Sequence, residues 1–346
     1  MLAAGWRRHQ QTRGKRMSDA HRPHDPVAGQ GSTGPGPDRK QKKRRRRRRV
    51  ALWSFASLLA LAGLTVAAGY AVVNHLAGSI ARIHVARLEA AGKPAGGPAG
   101  QAMNVLITGQ EQAPGSMGRP SGLIMILHIN ADQQAGGAVS IHPLAMVQVP
   151  GHGRTELQNA LVFGGPSLLV QTVEQLTSVT LDHYARIDLP HVANVVDAIG
   201  GVDIQTPSGT VHFDGAGALS YARDPSLDEE GRVLRQSSLI RAVMRKIARQ
   251  HLLTNPATMF GVLNALTSML TVDSNFTTSE LLALAKALGG LSSSAGTFVS
   301  APYSTVGGQI VLDPGISRQL WAAIRQDSLA AFAQKYPSTV TPEVVP

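Results

Sequence analysis

MNVLIT (Met103–Thr108) and LIMILHIN (Leu123–Asn130) are apolar runs too short for helices, and AVSIHPLAMVQV (Ala138–Val149), closed by Pro150-Gly151, follows them. Runs without strict alternation are what strands buried on both faces look like. Helical spacing takes over downstream. Pro166–Thr177 opens on Pro-Ser and repeats apolar residues at 168, 169, 173 and 176. A strand near Asp182–Asp188 leads to a helix over Pro190–Ile199, stopped by Gly200-Gly201, and then to a strand at Val202–Gln205. A short element at Gly217–Ala222 and helices at about 232–251, 256–271, 277–289 and 315–334 complete the order, with a strand at 296–301. His75–Leu88 reads as a short helix. Strands interleaved with helices predict an α/β domain with helices on both sheet faces.

Upstream, the composition changes character. Residues 1–50 hold 16 Lys/Arg against 3 Asp, leaving 17 basic and 19 acidic residues for the rest of the chain. The net charge of +11 therefore describes a tail, not a basic domain. Residues 1–49, rich in Gly, Pro, Ser, His and charge, are expected to be a disordered cytoplasmic segment. It ends in RKQKKRRRRRR (Arg39–Arg49), ten cations in eleven positions. Directly after it, Val50–Val73 runs 24 residues without a charge. At about 1.5 Å per residue that is roughly 36 Å of helix, enough for a hydrocarbon core of about 30 Å. Trp53 and Tyr70 near its ends fit interfacial anchoring, and the positive-inside rule puts residues 1–49 in the cytoplasm and everything after His75 outside. An uncleaved signal-anchor is favoured over a cleaved signal peptide, because the apolar run is long for an h-region and the stretch before it long for an n-region. The arginine run then serves as a topology signal with some lipid attraction, which argues against nucleic acid as its partner. The expected organisation is tail 1–49, span 50–73, Gly/Pro/Ala-containing linker 74–102, extracytoplasmic domain 103–334 and tail 335–346.

The chain has no cysteine, so disulfide frameworks, thiolate zinc sites and thiol nucleophiles are excluded. There is no GxSxG elbow, Walker loop, HExxH or strand-borne GxGxxG. The 12 histidines lack ligand spacing, and 4% aromatic content argues against stacking platforms for bases or sugars. What stands out is ALSYARDPSLDEEGRVLRQSSLIRAVMRKIAR (Ala218–Arg249). Arg232, Arg235 and Gln236 are three and four apart, on one face of the first turns of a helix, with Arg223 just before the acidic loop. A helix N-terminus offers free N–H groups and the positive end of its dipole, and guanidinium forks bind phosphate bidentately. A phosphate or pyrophosphate site is one reading; an amphipathic helix with solvated arginines is the other.

The chain resembles the LytR-CpsA-Psr domain, a family of extracytoplasmic enzymes anchored by one N-terminal helix. Nine blocks carry the resemblance over about Met103–Gln250: NVLITG (104–109), LIMILHIN (123–130), VSI (139–141), PGHG (150–153), NALVFGGPSLLVQTVEQLT (159–177), LDHYARIDL (181–189), VVDAIGGVDI (195–204), FDGAGALSYAR (213–223) and GRVLRQ (231–236). The resemblance implies an α/β/α fold around a mixed central sheet. It also implies a phosphotransferase that moves a glycopolymer phosphate from a polyprenyl-pyrophosphate carrier onto peptidoglycan. Residue by residue, Arg223, Arg232, Arg235 and Gln236 fall on the pyrophosphate-binding positions, with Arg154 and Asn159 as further headgroup contacts and Asp224 as an acid beside them. Asp224, Asp228, Glu229 and Glu230 are acids that could supply a metal ligand or a base, Asp224 or Asp228 ahead of the glutamates, with an acidic surface loop as the reading for most of them. An apolar slot for the polyprenyl tail is expected between the Leu168–Leu176 and Val233–Ile247 helices.

Departures from the family pattern bear on activity. Glu111 corresponds to the first of two magnesium-binding acids, but the second falls on Gly122, which offers no ligand. Mg2+ manages with one or two carboxylates plus phosphate oxygens and water, so the expectation is Mg2+ held through Glu111. An arginine–aspartate pair after the third strand is replaced by Pro143-Leu144, and His142 beside it reads as a strand-end residue. Loss of a cation and an acid removes transition-state stabilisation of commonly several kcal/mol. Three readings follow: a glycopolymer transferase; a degenerate relative that binds polyprenyl phosphates or envelope partners without turnover; and a regulator whose basic tail binds nucleic acid.

Overall fold

Successive residues of the first two long strands enter two different cores. Val105, Ile107, Leu123, Met125 and Leu127 join one cluster, while Leu106, Ile124 and Ile126 join the other. This is the alternation expected of a sheet covered on both sides. The computed structural model describes residues 71, 75, 78–90, 101–110, 120–132, 135–249, 256–281, 283–284, 296–342 and 344. All of them belong to the unit Thr65–Pro346.

Seven strands form the central sheet: β1 (Ala81–Ile83), β2 (Met103–Gln110), β3 (Pro120–Ile129), β4 (Gly136–Ser140), β7 (His183–Asp188), β10 (Leu270–Asp273) and β11 (Gly296–Ser300), in the order β1-β10-β7-β2-β3-β4-β11. The pairs β1/β10, β2/β7 and β4/β11 are parallel and the others antiparallel, so the sheet is mixed. On one face lie α1 (Ala86–Ala90), α2 (Asn159–Thr177), α7 (Pro314–Arg325) and α8 (Leu329–Lys335), contributing Leu88, Leu169, Val173, Leu320, Trp321 and Phe332. On the other lie α3 (Leu189–Ala198), α4 (Gly215–Ala222), α5 (Glu229–Arg249) and α6 (Pro256–Met269), contributing Val195, Ala218, Leu239, Val243 and Val262. The α/β architecture with a mixed sheet and helices on both faces is therefore as expected.

Several elements differ from expectation. Ala138–Val149 is not one strand: the chain turns at His142–Leu144, where Ala145 N–H donates to His142 O at 3.0 Å, because Pro143 has no N–H to continue a ladder. The remainder becomes β5 (Met146–Val149), paired with β6 (Gly153–Glu156). Val202–Thr206 (β8) turns back into β9 (Gly209–Phe213), and a further hairpin, β12 (Tyr303–Val306) with β13 (Gln309–Leu312), turns at Gly307-Gly308, both at positive φ. The expected helix at 256–271 stops at Met269, and its last residues enter β10, central enough to pair β1 on one side and β7 on the other. The helix expected at 315–334 is two helices, broken where Asp327 takes φ 53°. His75–Leu88 supplies β1 and the start of α1 instead of one helix, so part of the 74–102 stretch packs with the sheet.

The segment 1–49 and the span 50–73, apart from Ala71, lie outside the described residues, as does Glu111. Among the described residues no helix is long and apolar enough to cross a membrane.

Candidate functional site

Local capping sets the two helices that carry the arginines. Asp214 caps α4 by accepting the Gly217 N–H at 2.7 Å, and α4 ends at Arg223. Asp228 caps α5, its Oδ1 accepting the Gly231 N–H at 2.8 Å. The helix thus begins three residues before Arg232, and Glu230 sits in its first turn, where the dipole favours acids. Between the helices, Asp224 Oδ1 accepts the Ser226 N–H at 3.0 Å and the Ser226 hydroxyl at 2.6 Å, which closes the loop into a turn.

Arg235 is held on three sides. Its Nη1 donates to Asp224 Oδ2 at 2.9 Å and to Tyr221 O at 3.3 Å, and its guanidinium lies 4.6 Å from the centre of the Tyr221 ring. Asp224 titrates below its ordinary range, first because Ser226 hydrogen-bonds the ionised form and then because Arg235 stands beside it. Arg223 is half-buried, with Nε and Nη2 shielded from solvent. Gln236 is only 2% exposed, and its Oε1 has no hydrogen-bond partner among the described residues. Arg232 is half-buried on the first turn of α5. The structure thus joins Arg235 to Asp224 and Tyr221 across the α4–α5 junction, with Arg223 at the end of α4 and Arg232 and Gln236 on the first turns of α5.

Arg154 and Asn159 are carried by β6 and α2. Arg154 is exposed on β6, and the Asn159 side-chain amide donates to Thr155 Oγ1 at 2.8 Å at the start of α2. The tail slot expected between Leu168–Leu176 and Val233–Ile247 is corrected by the sheet: α2 packs on one face and α5 on the other, so the two helices cannot wall one cavity.

For Mg2+, no group of three His, Asp or Glu side chains that could hold a metal exists among the described residues. Gly122 is buried in β3 and adds nothing. One carboxylate does fit. Asp188, at the end of β7 and in register with Gln110, has a buried Oδ1 without a hydrogen-bond partner among the described residues, while Oδ2 meets His191 Nδ1 at 3.0 Å. A single carboxylate with phosphate oxygens and water suits Mg2+.

Residues set aside in the sequence form a second feature. Ser140, His142, Glu230, Val233, Leu234, Ser300, Ala301 and Tyr303 line a small open cleft of about 30 Å³ beside the first turn of α5. Tyr303 OH donates to Glu230 Oε1 at 2.5 Å, and the His142 and Tyr303 rings meet edge-on at 5.0 Å. Only His142 and Glu230 were visible as candidates; nothing in the sequence places Tyr303 beside them.

The LytR_cpsA_psr family model matches residues 79–317. The probable cell wall biosynthesis protein LcpB of Corynebacterium glutamicum is 32% identical over 203 residues, 54% of this chain and 49% of that protein. The polyisoprenyl-teichoic acid–peptidoglycan teichoic acid transferase TagU of Enterococcus faecalis is 29% identical over 162 residues, 42% of this chain and 52% of that protein. The chain thus spans about half the length of these curated relatives. Among solved structures, a LytR-Csp2A-Psr enzyme from Actinomyces oris superposes with a TM-score of 0.56 at 18% identity, covering 71% of this chain and 95% of that one. At that identity the likeness is one of fold.

Proposed function

The chain belongs to the LytR_cpsA_psr family, and on that premise we propose that it is an envelope glycopolymer transferase. It takes a glycan phosphate from a polyprenyl-pyrophosphate carrier and passes it to peptidoglycan. The observation that carries this reading is the α4–α5 junction: Arg235 is fixed by Asp224 and Tyr221, half-buried Arg223 ends α4, half-buried Arg232 stands on the first turn of α5, and the buried amide oxygen of Gln236 has no hydrogen-bond partner among the described residues. Relatives with cell-wall and teichoic-acid transfer in their names supply the substrate class.

Phosphoryl transfer asks the protein mainly for alignment and charge neutralisation. The α5 N-terminus and the arginines take the diphosphate oxygens, each charge-assisted contact contributing about 1.5–3 kcal/mol. Because Asp224 and Tyr221 already hold Arg235, little side-chain freedom is lost when substrate arrives. Gln236 offers Oε1 as an acceptor and its amide N–H groups as donors to the headgroup. When bound, Mg2+ would neutralise phosphate charge, with Asp188 as a candidate ligand beside the expected Glu111. Anchoring through Val50–Val73, with residues 1–49 inside, would keep the domain at the bilayer surface where a polyprenyl donor resides.

Full-length protein in detergent, given a polyprenyl-pyrophosphate glycan and soluble peptidoglycan strands, is expected to form a glycan phosphodiester in a Mg2+-stimulated reaction. Arg232→Ala is expected to lower the rate by about 10²–10³-fold. A second reading, binding without turnover, is favoured by Gly122 and Pro143-Leu144, where the family pattern has acids and a cation. Tight donor binding with no product would select it.

A further inference from the structure

Strand direction fixes the end of the sheet at which the chain arrives. β2, β4, β7 and β11 run one way, and β1, β3 and β10 the other. The chain coming from Val50–Val73 therefore enters β1, at Ala81, at the end of the sheet where β2, β4, β7 and β11 finish. α2 starts at that end too. It follows β4 through the β5–β6 hairpin and leads to the far end, where Asp182 N–H donates to Asn104 O at 2.9 Å before β7 begins. The first segment of α2 turns Ala160 and Leu161 toward the core and leaves Val162 and Phe163 67% and 48% exposed. Non-helical geometry at Gly164 and Gly165 sets this segment apart from the rest of the helix. Phe163 stacks on His152 with ring centres 4.4 Å apart, which joins it to the exposed turn Gly151–Arg154. The β12–β13 hairpin follows β11 at the same end, is bridged to Ala145 through Ile310, and adds exposed Val306. Single exposed apolar residues are ordinary, but adjacent ones on a segment set apart from its helix mark a contact surface.

Resting on the membrane-anchored reading above, we propose that Val162 and Phe163 enter the interfacial layer of the bilayer while Arg154 meets its anionic headgroups. Seven residues separate Val73 from Ala81, at most about 28 Å of chain. This end of the sheet is therefore held close to the outer face of the membrane. Charge points to the same occupant. Gly151–Arg154 and Val162–Gly164 contain a cation and no acid. Glu156, the nearest acid along the chain, is half-buried and accepts the Gln158 side-chain amide at 2.9 Å. Anionic headgroups attract exposed arginine, and aliphatic and aromatic side chains beside it enter the boundary between headgroups and acyl chains. Two apolar side chains hold a free protein to lipid only weakly, but an anchor makes the contact intramolecular, so a weak contact is populated. The contact would fix the tilt of this end of the sheet, which also carries Asn159 and Asp188, against the leaflet that holds the donor.

The absence of cysteine makes the test direct. Full-length Val162→Cys, labelled with one environment-sensitive fluorophore, is placed in nanodiscs of phosphatidylglycerol and phosphatidylcholine. Its emission is expected to shift to shorter wavelength and to lose intensity when a spin-labelled lipid is included. The same label on Ser208→Cys, exposed on the β8–β9 turn beyond the C-terminal end of α3, is expected to do neither. Adding Arg154→Gln to Val162→Cys should reduce the quenching to the level seen in discs of phosphatidylcholine alone; unchanged quenching would remove Arg154 from the contact. A label that stays unquenched in protein retained by the discs overturns the proposal and leaves the anchor standing. A blue-shifted label that the spin-labelled lipid cannot reach means that protein, such as a second copy of this chain, covers the surface, and it overturns the proposal as well. Full-length protein that never incorporates into nanodiscs overturns both the anchor and the contact.

Discussion

Arg235 shows how much of the site is decided by a few short contacts. Its planar fork meets Asp224 Oδ2 and Tyr221 O while its face covers the Tyr221 ring. Lysine has neither the fork nor the flat face, so Arg235→Lys is expected to behave nearly as Arg235→Ala, both raising donor Kd at least about tenfold. Equal donor binding by Arg235→Lys and wild type would show that only charge matters there. Asp224 gives a pH test. Its carboxyl is held below the ordinary value of 3.8 by Ser226 first and Arg235 after it, so its contribution to stability is complete at neutral pH and is lost as pH falls through the depressed value. The stability gap between wild type and Asp224→Asn should therefore be constant from pH 8 to 5 and close only below about pH 4. Denaturant melts across that range would read it out.

Helix ends and breaks position these side chains. Within α2, Gly164 and Gly165 leave helical geometry, and Gly165 sits at φ 63° and ψ −160°, a region essentially closed to residues with a Cβ. Gly165→Ala is expected to cost about 1–3 kcal/mol in urea unfolding, although its Cβ would meet open space. The cost is backbone strain, so Gly164→Ala, whose Cβ would press on Leu168, tests packing instead. The break also sets off the short first segment of α2, where Val162 and Phe163 are exposed and Phe163 stacks on His152 with ring centres 4.4 Å apart. At α5, Asp228→Ala removes the cap that starts the helix before Arg232 and is expected to cost about 1 kcal/mol, with a weaker grip on the diphosphate as the first turn frays.

Across the fold, buried imidazoles link stability to acidity. His128 is fully buried between Asn104 and Asp327, and His142 lines the cleft; burial lowers both pKa values, with Asp327 and Glu230 pulling the other way. The unfolded chain binds these protons more readily, near the ordinary value of 6.5, so stability is complete above that pH and falls as pH drops below it. An unfolding midpoint that stays flat from pH 8 to 5 would contradict this. Topology has its own test because the chain has no cysteine. Ser304→Cys, exposed on β12, should react with a membrane-impermeant maleimide in intact cells, and Ser32→Cys should not. Labelling of both, or of Ser32→Cys alone, would reverse or remove the proposed orientation. Much of this fold is legible from local pattern. The runs at 103–108 and 123–130 had to be strands covered on both sides, and glycine and proline punctuation located the helices between them, because burial periodicity and backbone stereochemistry act over a few residues. The family blocks likewise marked Arg223, Arg232, Arg235 and Gln236. Other features depended on contacts that no local window contains: the turning of Leu270–Asp273 from helix tail into a strand between β1 and β7, the placement of α2 and α5 on opposite faces, and the meeting of His142, Glu230 and Tyr303. Those were set by the pairing of strands far apart in the chain and by the packing that closes over them, and neither has a signature in the residues on either side.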